Sequence, residues 1–159
     1  MNTLIAYSSK YGCTKKCVDN LQKELTDNVD IINLQTPNNI DLSKYDKVII
    51  GGSIYMGMIQ KEVKEFCNNN LEILKGKQIG LFICGMQEGE SINTEINENF
   101  PKELLDTSIA KAHFGGEFII SKMKFFEKMI VKMIAKTSTD KSNILKDNIN
   151  KFALKMNTI

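Results

Sequence analysis

The chain contains no arginine and no tryptophan; all 21 of its basic residues are lysines. Guanidinium forks read ribose 2′-phosphates and nucleic-acid backbones in bidentate fashion, so their absence argues against NADPH and against nucleic-acid recognition. Histidine occurs once, at His113, and the four cysteines, Cys13, Cys17, Cys67 and Cys84, form no CxxC pair. No metal site is expected from that set. Three of the cysteines fall in segments that read as helix or strand, which points to reduced thiols in a cytosolic protein. Neither GK[ST] nor G-x-G-x-x-G occurs, so loops for nucleoside triphosphates and dinucleotides are missing. No apolar run approaches the roughly 20 residues that span a bilayer. Met1-Asn2-Thr3 leads straight into a strand-like run, so no secretory leader is expected. Repeats, low-complexity tracts and long Pro/Gly linkers are lacking too, and residues 1–159 are expected to form one domain.

What the chain does have is concentrated after its first apolar run. Leu4-Ile5-Ala6-Tyr7 reads as a buried strand, followed by Ser8-Ser9-Lys10-Tyr11-Gly12-Cys13-Thr14. Cys17, Val18, Leu21 and Leu25 then recur at helical spacing. A hydroxyl-rich turn between a strand and a helix start is an anion site, because amides point outward and the helix dipole adds partial positive charge. Serine and threonine hydroxyls complete the coordination of a phosphate monoester without a metal. A small mononucleotide phosphate is the predicted ligand.

Further strands are expected at 29–34, 48–52, 79–84 and 110–118, the last with a bulge or break at Gly115-Gly116. Apolar residues run continuously in 48–50, as they do in most of 79–84, the pattern of strands buried on both faces. Helices are expected at 60–68 and at 142–156, the second capped by Ser142, with an exposed helical cover within 88–99. Strands alternating with helices give an α/β class and a doubly wound, five-stranded parallel sheet. Ligands of such sheets sit beyond the strand C-termini, where loops 8–14, 52–57 and 84–90 should converge on one crevice.

These residues carry a resemblance. The run from Ile5 to Thr14 resembles the phosphate loop of the flavodoxin family, with Ser9, Gly12 and Thr14 matching and Lys10 and Tyr11 departing from its small middle residues. Gly51-Gly52-Ser53-Ile54-Tyr55-Met56-Gly57 is similar to the second, flavin-flanking loop, and Leu81-Phe82-Ile83-Cys84-Gly85 to the third. The resemblance implies a flavodoxin-like three-layer fold, strand order 2-1-3-4-5, and FMN as cofactor. It places the phosphate on Ser9, Lys10, Tyr11, Gly12, Cys13 and Thr14, with Lys10 adding charge. It places the ring beside Ser53, Ile54, Tyr55, Met56 and Gly57 and beside Cys84, Gly85, Met86 and Gln87. Tyr55 is the aromatic cover on one face. The third loop supplies no second aromatic, so the other face is open or covered by Met86. In the family a glycine peptide near the reactive flavin nitrogen reorients on reduction, and Gly57 is the matching position.

Gly51 to Gly57 followed by Val63-Lys64-Glu65-Phe66, and Phe114-Gly115-Gly116 followed by a lysine-rich run, resemble the flavodoxin-domain protoporphyrinogen IX dehydrogenases. That subgroup carries a basic aromatic insertion before its last helix; here the insertion lies at about 119–140. The resemblance implies a porphyrinogen as small-molecule substrate, a quinone as acceptor, and no side chain acting as acid or base. The alternatives are an electron carrier between redox proteins, and a module that has lost FMN. Lys124, Lys128, Lys132 and Lys136 form an i, i+4 stripe, and Met123, Phe125, Phe126, Met129, Ile130, Met133 and Ile134 occupy the rest of the circumference, so residues 122–136 read as a basic amphipathic helix. An anionic membrane surface, a propionate-bearing porphyrin and the protein's own sheet are all candidate counterparts, and the expected location is cytoplasmic or peripheral at the inner face of the membrane. Charge is asymmetric: residues 1–116 hold 12 lysines against 15 acids, residues 117–159 hold 9 against 4. The acidic run from Glu88 to Asp106 is a solvated face or a guide for redox partners. His113 is a packed strand residue or a proton carrier, and Cys13 a space-filling side chain or a reactive thiol.

Overall fold

The computed structural model describes residues 1–118, 128–129 and 141–159. Its elements run β1 (Asn2–Ser8), α1 (Cys13–Glu24), β2 (Asn28–Asn33), a 3-10 turn (Leu42–Lys44), β3 (Lys47–Tyr55), β4 (Met58–Ile59), α2 (Lys61–Asn69), α3 (Leu71–Leu74), β5 (Gln78–Cys84), α4 (Ser91–Asn99), α5 (Lys102–Thr107), β6 (Ala110–His113), β7 (Gly115–Phe118), β8 (Lys141–Ile144) and α6 (Lys146–Asn157). Five strands pair in parallel in the order β2-β1-β3-β5-β6, and the short β4 folds back antiparallel on the end of β3. Counting only the parallel strands, this is the predicted 2-1-3-4-5 order.

Helices cover both faces because the strands alternate two apolar sets. Leu4, Val48, Ile50, Leu81 and Ile83 join Val63, Leu74, Ile96 and Leu104 of α2 to α5 in one buried layer. Ile5, Tyr7, Ile49, Phe82 and Cys84 join Cys17, Leu21, Phe152 and Met156 of α1 and α6 in the other. Phe82 and Phe114 stack with centroids 4.6 Å apart, and Phe152 meets Phe114 edge-on at 5.3 Å. Glycine at position 51 admits the Phe82 ring, which a Cβ there would strike.

One buried charge lies at the far end of the sheet from the loops. Lys47, 1% exposed, bonds the Asp27 carboxylate at 2.9 Å and donates to the Met156 carbonyl at 2.7 Å. Burial alone would raise the Asp27 carboxyl, but hydrogen bonds from Lys47 and Thr3, together with the Lys47 charge, hold it below the usual range.

Two expectations are corrected at the C-terminal end. The segment 110–118 is not one strand. Gly115, at φ 83°, turns the chain after Phe114, so that β6 stays in the main sheet while β7 pairs antiparallel with β8. Ser142 does not cap the last helix: it lies in β8, its hydroxyl donates to Glu117 at 3.0 Å, and α6 starts at Lys146 after Leu145. The 122–136 amphipathic reading lies outside the described residues, except for Lys128 and Met129, which are helical.

Candidate functional site

Parallel register brings the three predicted loops together. Ser8 pairs with Gly52 and Ser53 with Cys84, so β1, β3 and β5 end side by side at the centre of the sheet. The chain leaves these three strand ends through residues 9–14, 56–57 and 85–90.

The first loop is shaped by Gly12, whose φ of 97° is in the left-handed region that glycine adopts without penalty. Its N–H donates to Ser9 Oγ at 3.0 Å. Helix α1 then opens at Cys13 with no side-chain cap and no acidic residue in its first turn, leaving its leading amides uncapped. Thr14 is buried, and its hydroxyl shares a 2.9 Å hydrogen bond with Ser53, tying the first loop to the second. The hydroxyls of Ser8 and Tyr11 are buried without a partner. The Lys10 ammonium lies 3.5 Å from the Tyr55 ring centroid and 5.5 Å from that of Tyr11, a cation–π contact that links the first loop to the second.

The second loop turns tightly between β3 and β4. Met56 at φ 53° and Gly57 at φ 76° are consecutive left-handed residues, the requirement of a primed two-residue hairpin. Ile54 is buried, Tyr55 half-buried, and Met56 exposed at 65%. Two side chains hold this turn. Asn99, buried at the end of α4, accepts the Ile59 amide at 2.9 Å and donates to the Gly57 carbonyl at 2.9 Å and the Glu95 carbonyl at 2.8 Å. Gln60 accepts the Ser53 amide through Oε1 at 2.9 Å. Neither was singled out from the sequence; both are polar residues at helix ends, and no local pattern reports that they turn inward.

The third loop is fixed from behind by β7, which pairs with β8, and by His113 of β6. The Gly85 amide donates to the Gly115 carbonyl at 2.8 Å, and His113 Nε2 bonds the Gly85 carbonyl at 2.7 Å. A Cβ on Gly116 would strike the Gly85 carbonyl, and one on Gly85 would strike Gln87. Burial pushes the His113 pKa down, outweighing the Gly85 hydrogen bond, so the ring is neutral with its proton on Nε2. Cys84 is buried, while Met86 and Gln87 are half-buried and line a cavity of about 230 Å³ with Gly85, His113 and Gly116. Thus His113 serves the third loop as a packed, hydrogen-bonded support.

A model of the flavodoxin domain matches residues 4–144. The chain belongs to the flavodoxin domain family. Among its relatives, the quinone-linked protoporphyrinogen IX dehydrogenase of Escherichia coli K12 is 22% identical over 155 residues, covering 92% of this chain and 86% of that protein. The flavodoxin-like domain-containing protein BilS of Clostridioides difficile is 33% identical over 110 residues, or 65% of this chain and 60% of that one. Among solved structures, the Streptococcus pneumoniae flavodoxin superposes with a TM-score of 0.60 at 16% identity, covering 98% and 97% of the two chains. Among the described residues, no helix is long and apolar enough to cross a membrane.

Proposed function

We propose that this chain binds FMN and acts as a two-electron oxidoreductase of the protoporphyrinogen IX dehydrogenase type, passing electrons to a quinone. The observation that carries the reading is the meeting of three loops at an uncapped helix start shaped by left-handed Gly12. The residues fit the cofactor. The uncapped amides of Cys13 and Thr14 and the hydroxyls of Ser9 and Thr14 would hold the phosphate, Gly12 shaping the turn while its own N–H rests on Ser9, and the orphaned hydroxyls of Ser8, at the end of β1, and Tyr11 offer further donors. Tyr55 would cover one ring face, with Ser53, Ile54, Met56, Gly57, Cys84, Gly85, Met86 and Gln87 along the edges. When bound, FMN supplies hydride acceptance from a reduced substrate and its return to an acceptor.

Lys10 supports two-electron chemistry over single-electron shuttling. A cation seated on Tyr55 favours negative charge on a ring stacked nearby, and so full reduction. The lysine-rich segment 122–136 suits a propionate-bearing substrate or an anionic membrane surface near a quinone pool. The second reading, a flavodoxin electron carrier, is supported by Glu88, Glu90 and Glu98, exposed beside the third loop. The deciding experiment is anaerobic oxidation of protoporphyrinogen IX by FMN-loaded protein with a menaquinone, run beside a flavodoxin-reductase assay. Quinone-dependent oxidation above the uncatalysed rate is expected. Rapid turnover with the reductase and none with porphyrinogen would favour the carrier.

A further inference from the structure

Gly85, the first residue beyond β5, is gripped through both of its backbone groups. Its N–H donates to the Gly115 carbonyl at 2.8 Å, and its carbonyl accepts from His113 Nε2 at 2.7 Å. His113 ends β6, beside Ile83 of β5, and Gly115 opens β7 two residues on. Both groups of Gly85 therefore turn to the β6 flank. Gly116 packs against the back of the same carbonyl, where no side chain fits.

The peptide from Gly85 to Met86 is trans, so its N–H points opposite to its carbonyl. With the carbonyl turned to β6, the Met86 N–H is turned to the other flank of β5, where β3 and the second loop lie. Among the described residues that N–H has no hydrogen-bond partner.

His113 is spent on one bond. It is 6% exposed, and its other nitrogen, Nδ1, is buried without a partner. A buried orphan acceptor costs stability, so packing alone does not account for an imidazole here. Asn148 steadies the residue by donating to its carbonyl at 2.9 Å. An apolar side chain in its place would leave the Gly85 carbonyl unpaired and its peptide free to turn.

We propose that His113 is a positioning residue for the flavin: by holding the Gly85 carbonyl it aims the Met86 N–H into the crevice, at the ring edge where negative charge gathers on reduction. This rests on the FMN reading given above and names a device that tunes the same site. A donor already aimed at a developing charge stabilises it without reorganisation. Reduced cofactor therefore gains more from the Met86 N–H than oxidised cofactor does, and the potential rises.

The test compares full-length wild type with His113→Leu, which removes the donor, and His113→Gln, whose carboxamide reaches the same carbonyl. Fluorescence quenching gives the affinity for oxidised FMN and riboflavin, and equilibrium dye titration gives the two-electron midpoint potential. A merely structural role would weaken oxidised and reduced flavin alike and leave the potential in place. The leucine variant should lose about tenfold in preference for the reduced form, a fall of roughly 30 mV, and glutamine should restore most of it. His113→Asn, too short to reach Gly85, replaces the leucine variant if that one folds poorly. In nitrogen-15-labelled wild type, added riboflavin should move the Met86 amide proton downfield, and the shift should shrink in the leucine variant. Equal potentials in all the proteins, or a Met86 resonance unmoved by bound flavin, would overturn the proposal and leave the cofactor reading standing. Wild type that binds neither FMN nor riboflavin would overturn both.

Discussion

Gly12→Ala isolates what the first loop contributes. An alanine forced into the left-handed region costs roughly 1–2 kcal/mol, and Gly12 sits there at φ 97° and ψ −9°. The free protein can escape that strain by rotating φ to negative values. Rotation swings the residue-12 amide off Ser9 Oγ and turns the leading amides of α1 away from a common centre. A phosphate that needs those amides must restore the strained form, so the same 1–2 kcal/mol reappears as about a 5- to 30-fold rise in Kd for FMN. Riboflavin carries the same ring without the phosphate, and its Kd should change less than about twofold by this reasoning. Flavin fluorescence quenching on titration of apo-protein measures both constants in wild type and variant. Equal weakening of FMN and riboflavin would show that Gly12 supports the cleft generally, and an unchanged FMN Kd would refute the phosphate placement.

Lys47→Met removes the ammonium from the half-buried Asp27, which keeps only the Thr3 hydroxyl and a distant N-terminal ammonium, and should cost about 1–3 kcal/mol in denaturation. Because the folded Asp27 pKa is depressed, the wild-type stabilisation is present above the ordinary carboxylate range and is lost as pH falls through the folded value. The gap between wild type and variant should therefore narrow in acid. Asn99→Ala removes two hydrogen bonds from the second loop and one within α4, for about 2–3 kcal/mol, and exchange of the Ile59 amide should accelerate at least about tenfold. Gly116→Ala drives a Cβ into the Gly85 carbonyl; a loss of about 1–3 kcal/mol in stability is expected, with weaker FMN binding in titration. Lys10→Met should lower the midpoint potential of bound flavin, read by equilibrium dye titration, while an unchanged potential would remove the electrostatic support for two-electron chemistry.

How much of this was legible in the sequence follows the range of the forces involved. The first loop could be read because its determinants are local: a glycine that permits a left-handed turn, hydroxyls within three residues of it, and a helix pattern starting at once. The strands could be read for the same reason, since burial on both faces leaves continuous apolar runs at 48–50 and over much of 79–84. Ser142 was misplaced by the same local logic. A serine ahead of Leu145, Ile149 and Phe152 has the form of a cap, but its backbone instead pairs with Glu117, 25 residues upstream.

The remaining details depend on partners that no short window contains. Lys10 lies in the phosphate turn in sequence, so charge assigns it to the anion; its contact with the Tyr55 ring, 45 residues away, is visible only once the loops meet. Asn99 looks like one more polar residue on an exposed helix, yet burial beside the second loop obliges its amide to satisfy two backbone groups there and the Glu95 carbonyl of its own helix. His113 similarly acquires its role only when β6 lies beside β5 and presents the ring to the Gly85 carbonyl. In each case the sequence carries the chemical group, and the sheet order decides which loop that group serves. A candidate site at a topological switch point is therefore read in two stages: its floor from local turn chemistry, its walls only from the order of the strands.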